Sequence, residues 1–203
     1  MNEYQQEQLD ALTIVRRGLL QFGDEKRMEL IETIRDYMQF RQSVDRFLKR
    51  YFSDTCTQTC YLSRTSACCS KDGIITFFAD TVVNVLHATP AQLDRLEMVL
   101  NRVNKGHRCA YLGIHGCKWT VRPVVCAMFL CDRAMDAVFR DEPEARKAWE
   151  SLRRQEKSFK WPDRPVLFDY LEKAFLDLGC QSTLMHLNLS PGLLRVKKDA
   201  GLI

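Results

Sequence analysis

The sequence contains little glycine or proline, no long hydrophobic run and no common catalytic signature. Nine glycines and six prolines in 203 residues are too few for a disordered or collagen-like chain. The longest apolar run, residues 124–131, is far shorter than the ~20 residues that a membrane-spanning helix needs. Glycine-rich phosphate loops, HExxH and GxSxG are also absent. These absences predict an ordered protein that does not span a membrane.

The charge of the chain is nearly balanced. Thirty Lys and Arg residues against 26 Asp and Glu residues give a net charge of +4, with the two signs interleaved. Nucleic-acid-binding proteins usually concentrate basic residues in one patch, so no nucleic-acid partner is expected. The first ten residues are polar and acidic, without the basic and apolar segments of a signal peptide, so a cytoplasmic location is expected.

Apolar residues recur mainly at helical spacing, and no hairpin signal is flanked by clean alternation. Asp24 is expected to cap one long helix whose apolar stripe includes Met28, Ile31 and Tyr51. The spacing therefore predicts a mainly α fold. Further helices are expected over residues 74–86, 144–159 and 166–178, with a rigid connection at 161–165 and a short helix after 190–191.

A capping box marks the start of one more helix. Thr89 and Gln92 can exchange hydrogen bonds with each other's backbone amides, and Pro90 suits the first helical position. Because no repeat or linker interrupts the chain, a helical single domain is expected, with two cysteine-rich loop segments converging on a metal site. It is divided into an N-terminal helical segment (1–52), a metal-binding core (53–140) and a C-terminal helical segment (141–203).

Eight of the nine cysteines lie in two short segments, and Cys180 stands apart. The first cysteine segment contains Cys56, Cys60, Cys68 and Cys69, and the second contains Cys109, Cys117, Cys126 and Cys131. Cytosolic thiols stay reduced, so clustered cysteines there favour metal or redox chemistry over structural disulfides. Four converging thiolates suit a soft metal. The adjacent Cys68 and Cys69 could bind one centre from an irregular turn or each serve a different metal.

The second cysteine segment is expected to begin as a loop and to become helical at Pro123. Cys126 then lies near a helix N-terminus, where the dipole favours a thiolate. Cys131 would lie about 140° further around the same helix, either as a ligand or as a buried core thiol. Arg122 is expected to orient the sulfur ligands. His107 and His115 lie in this segment and are expected to be loop residues rather than ligands.

The order of these cysteines resembles the CxxCxxCC family, also called the YkgJ-type cysteine cluster family, described as zinc- or iron-chelating proteins. The resemblance covers roughly residues 56–131 and includes the Arg-Pro-x-x-Cys element that ends at Cys126. It implies metal ligation by both cysteine segments. The first segment is longer here than in the family, and Cys131 lies beyond the usual set. Flagellin lysine methylases carry a similar cysteine cluster, thought to hold an iron–sulfur centre.

These observations predict a metal-binding protein that holds an iron–sulfur cluster or zinc through thiolates. Iron–sulfur ligation is favoured over zinc, with a role in electron transfer or redox chemistry and with a protein partner of unknown kind. All-thiolate ligation suits both metals. One centre with spare thiols and two four-thiolate centres both fit the count. The alternatives are a metal- or cluster-dependent enzyme and a metal-free thiol redox switch.

Overall fold

Helices form most of the protein, so the prediction of a mainly α fold is confirmed. The computed structural model describes residues 2–62, 68–69, 75–104, 106, 108–160 and 166–185. His107, the connection at 161–165 and the short C-terminal helix lie outside these ranges. The elements in the described ranges are α1 (Glu3–Gln21), α2 (Asp24–Thr33), α3 (Arg35–Phe52), a π-helix (Ser53–Tyr61), α4 (Phe78–His87), α5 (Pro90–Leu100), β1 (Leu112–Gly113), β2 (Gly116–Cys117), α6 (Val124–Ala127), α7 (Asp132–Phe139), α8 (Pro143–Lys160) and α9 (Leu167–Leu176).

Local capping determines where α5 begins. The Thr89 side chain accepts a hydrogen bond from the Gln92 amide, and the Gln92 side chain accepts one from the Thr89 amide at 2.8 Å. Pro90 is the first helical residue, where its missing N–H leaves no bond unmade. The predicted capping box is therefore confirmed. The helices expected at 74–86, 144–159 and 166–178 are also present as α4, α8 and α9, with shifted ends.

The expected long helix after residue 23 is instead two helices that meet at Ile34. Asp24 is the first helical residue rather than the cap, which is Gly23. The apolar stripe was wrong at its start, because Met28 is 63% exposed and Ile31 is 42% exposed. The break allows α3 to bury a separate face, on which Tyr37 and Phe40 are almost completely inaccessible to solvent.

Two groups of buried side chains hold the helices together. The larger one contains ring contacts between α3 and α8, including stacked Phe40 and Phe159 at 5.3 Å and stacked Phe47 and Trp149 at 5.4 Å. Burying each such aromatic side chain contributes about 1.5–3 kcal/mol. This group includes residues from all three predicted segments, whose boundaries stay a prediction.

The smaller buried group lies under the second cysteine segment. Tyr111 and Trp119 pack edge to face at 5.4 Å and contact apolar side chains from α1 and α5. Cys109 and Cys117 pack against this group. Two cysteines of the second segment therefore rest on a rigid surface. No helix in the described ranges is long and apolar enough to cross a membrane.

Candidate metal centre

Half of the first cysteine segment is helical, so the prediction of a loop was wrong for Cys56 and Cys60. Both lie in the π-helix that continues α3, and the Leu62 amide donates to the Thr57 carbonyl five residues earlier at 3.0 Å. The backbone of Ser53 is helical, at φ −57° and ψ −47°, so α3 runs directly into the π-helix. π-Helical turns are often found at functional sites. Here the turn places two thiols four residues apart on one helix.

A short β-hairpin carries Cys117 and is preceded by Cys109. Strands β1 and β2 pair antiparallel, with Leu112 opposite Cys117 and Gly113 opposite Gly116. Gly116 adopts a φ of +98°, which glycine tolerates without strain and which closes the turn. The sequence did not predict this hairpin, because strands of two residues are too short to show alternation.

Hydrogen bonds bring the two cysteine segments together. The Cys109 amide donates to the Cys69 carbonyl at 2.8 Å. The Tyr61 hydroxyl, at the end of the π-helix, donates to the Gly113 carbonyl and accepts from the Gly116 amide at 3.0 Å. Tyr61 therefore fixes the hairpin against the first cysteine segment.

Two buried polar side chains of α4 position Cys126. Asp80 accepts hydrogen bonds from the Phe77 amide at 3.0 Å and the Val124 amide at 2.9 Å. Asn84 accepts one from the Val121 amide at 3.0 Å. Both side chains are almost completely buried, so they hold the start of α6 rigidly. Cys126 is the third residue of that helix.

The prediction of one helix through Cys126 and Cys131 was wrong. Helix α6 ends at Ala127, and Cys131 is the N-cap residue of α7. The Cys131 carbonyl accepts bonds from the Ala134 and Met135 amides at 3.0 Å. Cys131 is exposed, so the interpretation as a buried core thiol was also wrong.

Six of the eight predicted cysteine ligands line one cavity of about 490 Å³. Trp119, Arg122 and His115 also face it, although the sequence gave His115 no more than a loop role. The two remaining candidates, Cys60 and Cys131, are not among the lining residues. The cysteines that line the cavity are Cys56, Cys68, Cys69, Cys109, Cys117 and Cys126.

Burial and mutual proximity raise the pKa values of these thiols. Burial raises the pKa of Cys109 to about 11, and the charges of Cys117 and Cys126 add to the effect. The pKa of Cys126 rises to about 11 by burial, then by the charges of Cys117 and Asp80. A hydrogen bond with Cys68 is the main cause that raises the pKa of Cys69, followed by burial and by the neighbouring Cys109 and Cys117 thiols. These thiols are therefore protonated at neutral pH, and metal binding would release their protons.

Backbone amides also approach the sulfur atoms and favour the thiolate form. The amides of Tyr111 and Leu112 lower the pKa of Cys109, against the larger effect of burial. The amides of Trp119 and Lys118 do the same for Cys117. Amides close to ligand sulfurs can tune the potential of an iron–sulfur cluster that the two thiolates hold.

Arg122 and Trp119 supply further donors at the cavity wall. The Arg122 guanidinium donates to the Asp45 carboxylate at 3.2 Å, and its charge lowers the pKa values of Cys117 and Cys126, against burial. The Trp119 indole N–H is buried and has no hydrogen-bond partner among the described residues. A buried donor without an acceptor costs about 1–3 kcal/mol.

The sequence predicted the thiols and Arg122 as site residues, and it gave no sign of the residues that hold their backbones in place. Asp80 and Asn84 carried no signal, because their helix reads as ordinary core. Trp119 lies two residues after Cys117, and this closeness in sequence was the one sign that Trp119 belongs to the site.

Within the ranges that the structure describes, no three His, Cys, Asp or Glu side chains are close enough to hold a single ion. The thiols surround the cavity rather than meet at one point. Comparison with family models, with curated proteins and with solved structures finds no match to this chain. The resemblance to the YkgJ-type family therefore stays a prediction.

Proposed function

We propose that the protein binds a metal centre through thiolates of Cys69, Cys109, Cys117 and Cys126. These four cysteines, called the inner set below, face one cavity. The observation that carries the proposal is the fixed placement of their backbones. The Cys109 amide donates a hydrogen bond to the Cys69 carbonyl. Cys117 lies in the β-hairpin, and Cys126 lies in α6, whose first amide bonds to Asp80.

The shape of the cavity favours an iron–sulfur cluster over a single zinc ion. Zinc needs four sulfurs about 2.3 Å from one point. A four-iron cluster is several ångströms across and takes its ligands at the corners, so it suits thiols spread around a cavity. The backbone amides near Cys109 and Cys117 lower the pKa values of these thiols, against burial, and so favour the thiolate forms that such a cluster needs. When bound, the cluster would supply one-electron chemistry, which supports an electron-transfer or redox role with a protein partner.

The charge of the site supports either metal. Four thiolates on Zn²⁺, or on a four-iron cluster in its 2+ state, leave a net charge of about −2. Arg122 lies close enough to Cys117 and Cys126 to lower their pKa values, so it offsets part of this charge. Its ion pair with Asp45 holds the guanidinium at the cavity wall.

The test is purification under strictly anaerobic conditions, with a visible spectrum and iron, sulfide and zinc analyses on one sample. We expect a brown protein with several irons and matching sulfide per chain, and a marked loss in Cys126→Ser. Cys180→Ser is the matched control, because Cys180 does not line the cavity. A colourless protein with stoichiometric zinc would show that the bound metal is zinc rather than an iron–sulfur cluster. Metal-free wild-type protein would overturn the proposal and favour the thiol redox switch.

The cavity volume supports a second candidate, a cluster-dependent enzyme. About 490 Å³ lies within the ~300–1,000 Å³ of small-molecule sites. Lys49 lines it, and Arg122 lines it in an ion pair with Asp45, so the one unbalanced positive charge among these three would suit an anionic small molecule. A cluster spectrum that changes when small carboxylates or phosphates are added would favour this candidate, and an unchanged spectrum would count against it.

A further inference from the structure

The cavity that the inner set lines opens to solvent beside exposed apolar side chains. Lys49, His115 and Phe129 line it and are exposed, so the cavity is accessible from outside. Phe129 is 52% exposed, Ile114 in the turn of the β-hairpin is 84% exposed, and Leu62 is 58% exposed. A group of large apolar side chains around one opening is typical of a surface that another molecule covers.

The three apolar side chains lie around the same opening. Ile114 lies in the hairpin turn, to which the Tyr61 hydroxyl is bonded on both sides. Leu62 follows Tyr61 in the chain, which places it next to this turn. Phe129 lines the cavity together with His115, the residue after Ile114. The surface that Leu62, Ile114 and Phe129 form around the opening is called the mouth below.

The segments that surround the mouth carry most of the net charge of the protein. Residues 45–62 and 109–130 include every lining residue except Cys68 and Cys69. They contain five Lys and Arg residues against two Asp residues, which gives +3 of the +4 of the whole chain. The mouth is therefore an apolar centre within a basic surround.

Two of these basic side chains point away from the metal site. Arg46 and Arg50 of α3 are exposed and do not line the cavity. None of the ion pairs in the described ranges includes either of them. Their charges are therefore free to meet a partner rather than to neutralise a bound metal centre.

We propose that the mouth is the docking surface of an acidic electron-carrier protein. The inference rests on the proposed function, because a cluster in the cavity needs such a partner for electron transfer. Opposite charge selects the partner, whereas a second copy of this chain would bring two positive surfaces together. An apolar centre within a charged rim is the usual anatomy of an interface. Weak redox complexes bury less than ~1,200 Å², so a centre of three side chains fits a complex of this class.

The test measures binding of the full-length protein, purified anaerobically, to two probes of opposite charge by isothermal titration calorimetry. The probes are a flavodoxin, which is acidic and carries FMN, and cytochrome c, which is basic. We expect flavodoxin to bind in the micromolar range at about 50 mM salt and cytochrome c not to bind. The Kd for flavodoxin should rise at least about tenfold at about 500 mM salt, because salt screens the charges.

The apolar centre is tested by Ile114→Ser. Leu20→Ser is the matched control, because Leu20 is 81% exposed on α1 and lies outside the segments around the mouth. Both side chains are largely exposed, so both variants should fold, which far-UV circular dichroism checks. We expect the Kd for flavodoxin to rise about fivefold or more in Ile114→Ser and to stay unchanged in Leu20→Ser.

The charged surround is tested by Arg46→Glu/Arg50→Glu. Arg17→Glu/Arg27→Glu is its control, because these two side chains are exposed on α1 and α2, outside the segments around the mouth. Both double variants change the net charge by the same amount, so they differ only in the position of the change. We expect flavodoxin binding to be lost in the first variant and to weaken little in the second.

Four results would overturn the docking surface. They are wild-type protein that does not bind flavodoxin, unchanged affinity in Ile114→Ser, equal losses in the two charge-reversed proteins, and tighter binding of a DNA oligonucleotide than of flavodoxin. A wild-type dimer that becomes a monomer in Ile114→Ser, measured by sedimentation, would assign the mouth to a second copy instead. Metal analysis of the same samples separates the two proposals. Metal-containing protein that fails to bind flavodoxin refutes only this inference, and metal-free wild-type protein refutes both.

Discussion

Arg122 is the residue whose charge acts most directly on the proposed ligands. It lies at the cavity wall, and its positive charge favours the thiolate forms of Cys117 and Cys126. Removing a residue that supports metal ligands typically weakens metal binding about 10–100-fold. We expect that loss in Arg122→Gln and a smaller one in Arg122→Lys, measured by competition with a metal chelator. Asp45→Asn breaks the ion pair but keeps the positive charge, so an equal loss there would contradict an electrostatic role.

The buried Asp80 carboxyl makes the stability of the fold depend on pH. Burial raises its pKa to about 6, although the amides of Phe77 and Val124 and the charge of Arg41 act in the opposite direction. In the unfolded chain the value is about 3.9, so the folded protein binds this proton more tightly. The resulting stabilisation is fully present below about pH 4 and is lost as the pH rises through about 6.

The variant Asp80→Asn tests this pH dependence. Its amide cannot titrate and cannot accept both backbone hydrogen bonds, so it should be less stable than the wild type at every pH. The difference between the two proteins should widen by up to about 3 kcal/mol between pH 7 and pH 4. Chemical denaturation of the metal-free, reduced proteins at both pH values measures it. A difference that is the same at both pH values would show that Asp80 is ionised throughout.

Among the elements, the structure agrees with the sequence wherever a local signal determines the conformation. The capping box at Thr89 predicted the start of α5 because its hydrogen bonds involve only residues three apart. The break at Ile34 and the π-helix carried no such signal. Neither place contains a Gly or Pro residue. The π-helix, whose turns are wider than those of an α-helix, depends on how Phe52 and Cys56 pack against the core. Long-range packing, rather than residue preference, decides these two features.

Tyr61 joins two elements, and its hydroxyl provides a test of how firmly the hairpin is held. Tyr61→Phe removes the bonds to the Gly113 carbonyl and the Gly116 amide. We expect a loss of about 1–2 kcal/mol in the free energy of unfolding and faster hydrogen exchange at the Gly116 amide. Tyr51→Phe is the control, since Tyr51 instead packs its ring against Phe47 at 5.1 Å. Unchanged exchange at Gly116 would mean that strand pairing alone holds the turn.

For the whole molecule, the sequence predicted eight cysteine ligands, and it could not predict which of them line one cavity. Composition and spacing identified all eight cysteines of the two segments. The approach of the two cysteine segments depends on the hydrogen bond from the Cys109 amide to the Cys69 carbonyl and on the packing of α7 against the π-helix. Both are contacts between parts of the chain that are far apart in sequence. Hydrophobic periodicity, which describes one element at a time, contains no information about them.

The body of the molecule should fold without metal. Its main buried group lies between α3, α8 and α9, and the hairpin rests on Tyr111 and Trp119 packed against α1 and α5. Chelation under reducing conditions should therefore leave the far-UV circular dichroism spectrum unchanged while Tm falls. A metal present at a thousandfold excess over its Kd raises the free energy of unfolding by about 4 kcal/mol. For a chain of this size that corresponds to a fall of roughly 8–16 °C. A loss of helical signal on chelation would instead make the metal a requirement for folding, as in small zinc domains.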